Sequence, residues 1–387
     1  MKPGKFNTEG LRQEFATIFK ETPSLYRSPG RINIIGEHTD YNNGFVLPAA
    51  IDKAAYVAIT PRNDEEIHLY SVSFLEHFST SLHTLKRRFG WTDYVLGVVD
   101  QLKKNGYLIK GFNLVLDGDV IIGAGISSSA AVECCVIYAL NDIFQLNIPL
   151  MRLVQLAQLA EHEFAGVKCG IMDQFASAFG KEGYAVRLDC RSLEYAYVPL
   201  KLDGYRLVLL NSNVKHSLAS SEYNTRRQQC EQGVAWVAEK EPGVQSLRDV
   251  TPEQLDTWVK DRDDVVYSRC RYVIEENSRL QQVCEYLAEG NLAGVGEMLY
   301  ASHEGLSKDY EVSCKELDWL VDFVKKEETV LGARMMGGGF GGCTINLVRE
   351  DAVEQLIENV KHLYTLHNNL PLDAYVVQPE GGTCKIA

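Results

Sequence analysis

The sequence predicts a protein that combines helices and strands in two or three domains. Its 387 residues are 45% hydrophobic, which supplies more apolar material than one small core needs. Patterns typical of strands and of helices alternate along the chain, and their character changes near residue 205. The end of the chain is predicted as strand, helix and strand over residues 344–348, 351–367 and 373–379. These observations favour a mixed architecture.

The composition argues against several classes of binding partner. Charged residues make up 24% of the chain and the net charge is −13, which argues against nucleic acid or an anionic membrane as main partner. No apolar stretch reaches the ~20 residues that span a bilayer, and Met1–Lys5 lacks the apolar core of a signal peptide. The ten cysteines form no Cys-x-x-Cys pair. We therefore expect free thiols in a reducing cytoplasm, and no nucleic acid, membrane or obligate protein partner.

The first elements follow from periodicity and from helix-breaking residues. An amphipathic helix is predicted over residues 6–21, and Pro23 ends it. Short strands are predicted over Ile32–Ile35 and Val46–Ile59, where apolar residues resume on either side of a polar loop. Alternation of apolar residues over 112–116 predicts another strand.

The polar loop after the first strand is the first candidate site. Glu37, His38 and Asp40 have no folding reason to stand together, so we interpret them as ligand contacts on a rigid scaffold. Asn42–Gly44 is typical of a solvated turn. Arg31 just before the loop fits either a surface ion pair or a group that stabilises charge on a bound phosphate.

The stretch Gly123–Ala131 has the features of an anion-binding loop. Two glycines permit tight turns, three serines follow, and an apolar run over Ala130–Leu140 carries one charge, Glu133, which predicts a buried helix. A serine before the run is a good N-cap, and the free N–H groups and dipole of the helix start favour a phosphate. The same pattern also fits an ordinary turn, and no Gly-Lys-Ser/Thr completes a Walker A loop.

Two carboxylates in apolar surroundings follow. A helix is predicted over residues 149–165, and Glu161 falls in the middle of its apolar stripe while Glu163 faces solvent. An inward carboxylate needs a partner; Mg²⁺ and an arginine are both candidates, and the helix alone favours a structural ion pair. Asp173 lies among apolar neighbours and fits either a helix cap or a positioned base.

The second half carries one further motif. Gly337–Gly342 holds five glycines in six residues, which permits close backbone packing. Its match to a dinucleotide fingerprint is weak, because it precedes a strand and no acidic residue follows at the required spacing. Pro379–Ala387 is predicted as a loose tail. The other segments are predicted as a strand, a helix start, a charge-rich solvated helical outcrop and further helices, over 205–210, 220–224, 240–265 and 271–300 respectively.

Three of these stretches carry a resemblance to a known family. Gly30–Tyr41 and its continuation Gly44–Pro48 resemble the galactokinase signature nearly residue for residue. Gly123–Ala131 resembles the Gly-x-Gly-Leu-Ser-Ser-Ser-Ala loop of the GHMP small-molecule kinases, with Ile126 in place of leucine. The sequence therefore resembles the GHMP kinases, and within them the galactokinases.

The third stretch resembles the family less closely. Met335–Gly342 resembles the third GHMP motif, but Met336 stands where galactokinases often carry threonine. Because this change removes a hydroxyl, we expect no catalytic residue in this motif. The resemblance as a whole extends from about Leu25 to Val348.

The resemblance implies an α+β fold with the two-domain GHMP architecture. The expected N-terminal domain, residues 1–200, is similar to domain 2 of ribosomal protein S5, and the expected C-terminal domain, residues 201–387, is ferredoxin-like, with the site in the cleft between them. The implied activity is that of a sugar 1-kinase, which converts ATP and D-galactose into α-D-galactose 1-phosphate and ADP. This is the first phosphorylation of galactose catabolism, and the implied cofactors are ATP and Mg²⁺.

The resemblance also assigns roles to residues. It implies that Asp173 is the catalytic aspartate, with Arg31 as its partner, and leaves open whether Asp173 is a true base or an electrostatic anchor. The positions that match sugar contacts are Glu37, His38, Thr39, Asp40, Gly170, Asp173 and Tyr223. Those that match the ATP phosphate loop are Gly123, Ala124, Gly125, Ile126, Ser127, Ser128 and Ser129, and those that match the Mg²⁺ ligands are Ser129 and Glu161.

Two alternatives remain open at this stage. A kinase of the same shape acting on N-acetylgalactosamine differs in the space around the sugar's 2-position, which the sequence does not reveal. A non-catalytic galactose and ATP sensor is disfavoured, because some such relatives lack residues of the serine loop, whereas Ser127–Ala131 and Asp173 are all present here.

Overall fold

The structure is a computed structural model that describes residues 6–121, 123–214 and 219–386, without the side chains of 219–221. Met1–Lys5, the segment predicted to lack a signal peptide, lies outside the described residues, as does Ala387. Helices and strands are mixed throughout, which confirms the predicted fold class.

The strands form three sheets. A six-stranded sheet has the order β13-β1-β3-β6-β4-β5, a four-stranded sheet β10-β11-β9-β12, and a three-stranded sheet β2-β7-β8. The strands are β1 Ser24–Asn33, β2 Phe45–Val46, β3 Pro48–Pro61, β4 Glu66–Ser71, β5 Glu76–Ser81, β6 Phe112–Gly118, β7 Tyr184–Asp189, β8 Tyr195–Pro199, β9 Tyr205–Asn211, β10 Val330–Met335, β11 Cys343–Arg349, β12 Asp373–Val377 and β13 Cys384–Lys385.

The helices cover the sheets and join them. They are α1 Thr8–Phe19, α2 Thr92–Lys104, α3 Ser128–Ile143, α4 Leu150–Ala160, α5 Met172–Phe179, α6 Ala219–Ala238, α7 Pro252–Trp258, α8 Asp264–Glu289, α9 Leu292–Glu304, α10 Lys315–Val324 and α11 Val353–Asn368. Helix α3 packs on β1 and β3, which places its N-terminus beside the end of β1. Helix α8 packs on α6 and α9 and contacts β2, so it lies behind the polar loop that precedes β2.

Strand β1 is longer than the predicted strand over Ile32–Ile35. It begins at Ser24 and pairs antiparallel with β3, and the register shifts between Pro29 and Arg31. This irregularity accommodates Pro29 and Gly30 inside a strand, where proline and glycine normally argue against one. The strand ends at Asn33, so Arg31 lies two residues before the end of the strand that leads into the polar loop.

A shared core connects the two halves of the chain. Apolar residues from β1, from β9 and β11, and from α8 pack in one buried cluster, which includes Ile32, Leu209, Ile345 and Leu280. The division at residues 200 and 201 stays a prediction. The chain does return across it, because β13 near the C-terminus pairs with β1.

Two predictions about exposed segments are wrong. The segment predicted as a loose tail ends in β13, and buried Thr383 is hydrogen bonded to Ser28 at 2.8 Å. The predicted outcrop over 240–265 contributes Leu255 and Val259 to a buried cluster with α8. Spaced apolar residues in a charge-rich segment are enough to bury one face once a neighbouring helix covers them.

The structure also describes the cysteines and the longest helices, on which the composition led to predictions. All ten cysteines are free, as their spacing predicts. Among the helices of the described residues, none combines the length and the apolar character that crossing a bilayer requires.

Candidate active site

An arginine and an aspartate from opposite halves of the N-terminal region form the centre of the site. Arg31 donates to both carboxylate oxygens of Asp173, from Nε at 2.8 Å and from Nη2 at 2.9 Å, and its Nη1 donates to the carbonyl oxygen of Gly125 at 2.6 Å. The pairing is bidentate, which fixes direction as well as distance. Burial alone would lower the pKa of Arg31, but the charges of Asp173 and Glu37 raise it, so the guanidinium stays charged.

The predicted phosphate loop lies against this pair. Helix α3 begins at Ser128, and the backbone N–H of Arg31 donates to the carbonyl oxygen of Ile126 at 3.0 Å. The expected serine does occupy the N-cap position, as Ser127 with φ +60°, but it makes no capping hydrogen bond, because its hydroxyl donates to Asp173 Oδ2 at 2.5 Å. A non-glycine residue in the left-handed region is strained, and here the strain aims the hydroxyl at the central carboxylate.

The inward orientation of Glu161 is confirmed, but its partner is not an arginine. Helix α4 continues into a π turn over Glu161–Ala165, a distortion that is frequent at functional sites. Glu161 accepts hydrogen bonds from Ser129 Oγ at 3.0 Å, Gln174 Nε2 at 2.6 Å and Cys169 Sγ at 3.5 Å. Among the described residues it makes no ion pair. Burial, followed by the charge of Asp173, raises the pKa of Glu161.

Ser129 and Glu161 fit the donor set that Mg²⁺ prefers. Both offer oxygen, and their 3.0 Å separation matches two adjacent ligands of an octahedral ion with bonds of about 2.1 Å. A buried carboxylate with a raised pKa gains from a nearby cation. The described residues contain no group of three or more His, Cys, Asp or Glu side chains able to hold a metal, so further ligands would come from water and phosphate oxygens.

The polar loop and the segment before α5 enclose a small cavity of about 170 Å³. Its lining includes Glu37, His38, Asp40, Gly170 and Tyr223, which the resemblance assigned to a sugar. The volume suits a ligand smaller than a drug-sized molecule. Arg31, Asp173, Glu161, Cys169, Val167, Met172, Gly337 and Gly338 complete the lining.

Burial shifts the pKa values of two polar groups of this cavity in opposite directions. Burial, followed by the charge of Asp173, raises the pKa of Asp40 to about 7, and burial lowers the pKa of His38 to about 3. His38 is therefore neutral at physiological pH. Its Nδ1 is hydrogen bonded to the hydroxyl of Tyr41 at 2.8 Å.

The surroundings of Thr39 and Gly170 explain why these residue types occur at these positions. Thr39 is fully buried, and its hydroxyl bonds the carbonyl oxygens of Gly36 at 2.9 Å and Phe45 at 2.5 Å. It is not among the residues that line the polar cavity. At Gly170, an added Cβ would lie 1.7 Å from Asp40 Oδ2, so only glycine lets this carboxylate occupy its place. Asn42, predicted in a solvated turn, is buried, and its amide donates to the carbonyl oxygen of His38.

Three cavities adjoin one another along the site. The polar cavity shares Arg31, Asp173, Gly337 and Gly338 with a cavity of about 260 Å³ over the phosphate loop. That loop cavity shares Ser128 and Ser129 with an apolar cavity of about 420 Å³. Of the predicted loop residues, Ala124 is buried in the shared core, and the lining comprises Gly123, Gly125, Ile126 and the three serines. Asp173 thus stands at the junction of the polar and loop cavities.

Sequence reasoning missed the apolar cavity. Phe74, Phe89, Trp91 and Tyr94 contribute aromatic rings to its lining. Phe89 is 82% exposed and has φ +62°, so a strained residue holds a large apolar ring at the cavity mouth. Backbone strain that persists outside a turn glycine often marks a ligand site. These residues lie between predicted elements, and only the strain, which the sequence does not reveal, distinguishes them.

Two further contributions to the site are not predicted from the sequence: the backbone of the third motif and the side chain of Gln174. The backbone N–H of Gly337 donates to Glu37 Oε1 at 2.8 Å, and Gly337 and Gly338 line two of the cavities. Met336 is buried in the core, consistent with the expectation that this motif supplies no catalytic side chain. Gln174 is fully buried and bridges Glu161 and Glu133. Glu133 has a pKa raised well above its usual range by burial and by Glu161.

Chemically, the arrangement suits transfer of a phosphoryl group. A helix N-terminus faces a loop cavity that can hold phosphates, a carboxylate and a guanidinium lie at one end of it, and a small polar cavity beyond can position a hydroxyl. Such transfer depends on positioning and on charge stabilisation more than on covalent participation.

Comparison with family models and curated proteins agrees with this geometry. Three models match: GHMP kinases N terminal domain over residues 93–181, the galactokinase galactose-binding signature over 13–61, and GHMP kinases C terminal over 283–365. The galactokinase of Thermotoga neapolitana is 43% identical over 360 residues, which cover 93% of this chain and 99% of that protein. The galactokinase of Clostridium beijerinckii is 40% identical, with 98% and 99% covered.

Solved structures agree as well. A crystal structure of Lactococcus lactis galactokinase complexed with galactose superposes with a TM-score of 0.94 at 38% identity, and covers 98% of this chain and 100% of that one. The mevalonate kinase of Methanococcus jannaschii superposes with a TM-score of 0.65 at 17% identity, covering 94% and 100%, which shows a shared fold.

Proposed function

Because the chain belongs to the galactokinases of the GHMP kinase family, we propose that it transfers the γ-phosphoryl group of ATP to the anomeric hydroxyl of D-galactose. The products are α-D-galactose 1-phosphate and ADP. The observation that carries this proposal is the row of three adjoining cavities with Asp173 at the junction. An apolar cavity suits a nucleotide base, the loop cavity its phosphates, and the polar cavity a sugar.

Asp173 and its donors act on the attacking hydroxyl in this proposal. The carboxylate accepts the proton of the sugar's 1-hydroxyl as that oxygen attacks the γ-phosphorus and the bond to the β-phosphate oxygen breaks. Arg31 and Ser127 hold the carboxylate from two sides, at 2.8–2.9 Å and 2.5 Å, which keeps it oriented before substrate arrives. Arg31 also offsets charge on the transferred group.

The phosphates lie over Gly123–Ser129 in this proposal, at the N-terminus of α3. Ser129 and Glu161 would hold Mg²⁺, which would supply positive charge to offset the phosphate oxygens. Gln174 keeps Glu161 facing the loop, through its 2.6 Å hydrogen bond.

Sugar recognition rests on Glu37, His38 and Asp40. Hydrogen bonds to charged groups contribute about 1.5–3 kcal/mol each, so an epimer that leaves a carboxylate unpaired binds much more weakly. Two further features stay proposals: the domain division at 200 and 201, and the cytoplasm as the compartment, which ten free thiols support.

One assay tests the proposed function. The purified chain is incubated with Mg-ATP and D-galactose, N-acetylgalactosamine or D-glucose, and ADP and the sugar phosphate are measured. We expect galactose-dependent ADP release and galactose 1-phosphate, with galactose the fastest substrate. Faster turnover of N-acetylgalactosamine would overturn the substrate assignment, and tight binding of galactose and ATP without ADP release would overturn the catalytic one.

A further inference from the structure

A fully buried arginine lies behind the sugar loop without lining any of the three cavities. Arg334, on β10, donates from Nε to the carbonyl oxygen of Ile34 at 2.9 Å and from Nη1 to that of Met335 at 2.6 Å. Its Nη2 donates to the carbonyl oxygen of Asn33 at 2.5 Å and to Glu37 Oε1 at 3.1 Å. One guanidinium thus connects the end of β1, the end of β10 and a carboxylate of the polar cavity.

Glu37 is fixed on one side only. Its Oε1 accepts from Arg334 and from the backbone N–H of Gly337 at 2.8 Å, whereas Oε2 accepts neither of these bonds. Glu37 lines the polar cavity, and because both donors bond Oε1, Oε2 is the oxygen that remains to accept a hydrogen bond from a ligand. One donor is on β10 and the other begins the glycine motif that follows it, and the sequence separates both from Glu37 by about 300 residues.

The backbone around Glu37 is held from helix α8 as well. The hydroxyl of Tyr272 donates to the carbonyl oxygen of Glu37 at 3.1 Å, and the N–H of Gly36 donates to Glu276 Oε1 at 3.0 Å. Glu276 is fully buried and is itself bonded by Ser302 and Arg279, each at 2.8 Å. Helix α8 thus anchors the main chain at Gly36 and Glu37 independently of Arg334, whereas the direction of the Glu37 side chain depends on Arg334 and Gly337.

A long glutamate on a loop does not keep one rotamer unless its surroundings fix it. A buried guanidinium needs partners for its donors and a counter-charge nearby, and Glu37 is the carboxylate bonded to Arg334. Each group therefore stabilises the other, and the cost of releasing either is high. This mutual dependence is what a rigid recognition group requires.

We propose that Arg334 is a positioning residue for sugar recognition: it selects the Glu37 oxygen that meets the sugar, and so sets discrimination between epimers. This proposal rests on the proposed function. It assigns to the strand before the third motif a role in substrate choice, in addition to the backbone packing that the glycines permit.

The test is a double-mutant cycle with galactose binding measured by calorimetry. Arg334→Lys keeps the charge but removes the planar guanidinium, whose several N–H groups bond Asn33, Ile34 and Glu37 at the same time. We expect galactose Kd to rise about tenfold or more, the galactose-to-glucose selectivity to fall, and KM for ATP to change less than about twofold. In a Glu37→Gln background, the same substitution changes galactose Kd less than about twofold, because the oriented carboxylate is already absent.

Arg269→Lys is the matched control. Arg269 is also buried and donates to the carbonyl oxygen of Asp309 and to Glu311, but it has no bond to Glu37. We expect a comparable loss of Tm without the change in galactose Kd. Equal effects of the two substitutions on galactose Kd, or additive effects of Arg334→Lys and Glu37→Gln, would overturn the proposal.

A second comparison applies where Arg334→Lys fails to fold. Glu37→Gln and the double variant Glu37→Gln with Arg334→Gln both carry a neutral side chain at residue 37, and the second removes both buried charges together. The proposal expects the same galactose Kd for both, and different values would overturn it. Wild-type protein that neither binds nor phosphorylates galactose would instead overturn the proposed function itself.

Discussion

The polar cavity and the apolar cavity at the two ends of the site are built in opposite ways. The polar cavity is the smaller, about 170 Å³ against about 420 Å³, and charged side chains surround it. Its loop is fastened by buried groups such as Glu276 and Arg334. The apolar cavity takes its rings from the surface around α2, and one of them, Phe89, is largely exposed. In the proposed function, recognition at the polar end therefore depends on a few strong bonds, and at the apolar end on area spread over many contacts.

The largest expected effect comes from the carboxylate at the junction of the polar and loop cavities. Asp173→Asn leaves a side chain of the same shape but removes the charge and the proton acceptor, so we expect kcat to fall by about 10²–10⁴. Galactose binding should change much less than kcat, and Tm should fall because buried Arg31 loses its paired charge. Steady-state kinetics and calorimetry measure both, and near-wild-type turnover would show that Asp173 has neither role proposed for it.

The next effect tests the close packing of the polar cavity. Gly170→Ala places a Cβ 1.7 Å from Asp40 Oδ2, so the carboxylate has to move and the bonds proposed between Asp40 and the sugar are lost. We expect KM for galactose to rise about 10–100-fold, with KM for ATP nearly unchanged.

The control for this substitution is Gly243→Ala. An added Cβ at Gly243 meets nothing within 4 Å, so it should leave both KM values as they are. A rise in KM for ATP equal to that for galactose would mean that Gly170→Ala disturbs the whole site and not the polar end alone.

A third prediction concerns pH. The pKa of Asp40 is raised to about 7, first by burial and then by Asp173, so the free protein loses the ionised acceptor as pH falls through 7. If the sugar binds the ionised form, galactose Kd is about tenfold higher at pH 6 than at pH 8, since each unit below the pKa reduces the ionised fraction about tenfold. His38, with a pKa of about 3, stays neutral over this range.

Asp40→Asn should remove this pH dependence while weakening binding at pH 8. The same raised pKa has a stability counterpart: the folded state holds the Asp40 proton more tightly than the unfolded state between about pH 4 and 7, so the contribution of Asp40 to stability falls as pH rises through that window. Thermal unfolding with and without Asp40→Asn measures it, and a Tm difference independent of pH would contradict the assignment.

The smallest effect is expected at the apolar end. Phe89→Ala removes an exposed ring at the cavity mouth, and an aromatic contact contributes about 0.5–1.5 kcal/mol beyond its buried area. We expect KM for ATP to rise roughly two- to tenfold, with KM for galactose and Tm unchanged.

Leu108→Ala is the matched control for the ring, because Leu108 is 91% exposed and does not line the apolar cavity. It should change neither KM value. If Phe89→Ala raised KM for galactose and not KM for ATP, the assignment of the apolar cavity to the nucleotide and of the polar cavity to the sugar would be wrong.

Local pattern predicted much of the fold and the candidate site. The helix over 6–21, the strands over 205–210 and 344–348 and the helix over 351–367 appear within a few residues of their predicted bounds. The serine loop does precede a buried helix, and periodicity placed Glu161 on the inner face correctly. These features depend on spacing within one element, which the sequence contains directly.

Hydrogen-bond partners that lie far apart in the sequence were less predictable. Of the two partners considered for Glu161, Mg²⁺ and an arginine, the arginine is absent among the described residues, and Ser129, Cys169 and Gln174 bond the carboxylate. Ser127 bonds Asp173 instead of capping its helix with its hydroxyl. The tail was predicted to be loose, yet it adds a strand beside β1. In each case a group from another element offered a better partner than any neighbour in sequence.

The sequence by itself determined the family, most of the elements and the candidate residues of the polar and loop cavities, because these follow from motifs and from periodicity within short windows. Only the tertiary structure decided which groups meet: Arg31 and Asp173 are 142 residues apart, and Arg334 and Glu37 are 297 apart. Burial removes water as a competing partner, so each buried charge must find its bonds in whatever the packing brings near. That choice depends on the whole fold, and no local stretch of the chain contains it.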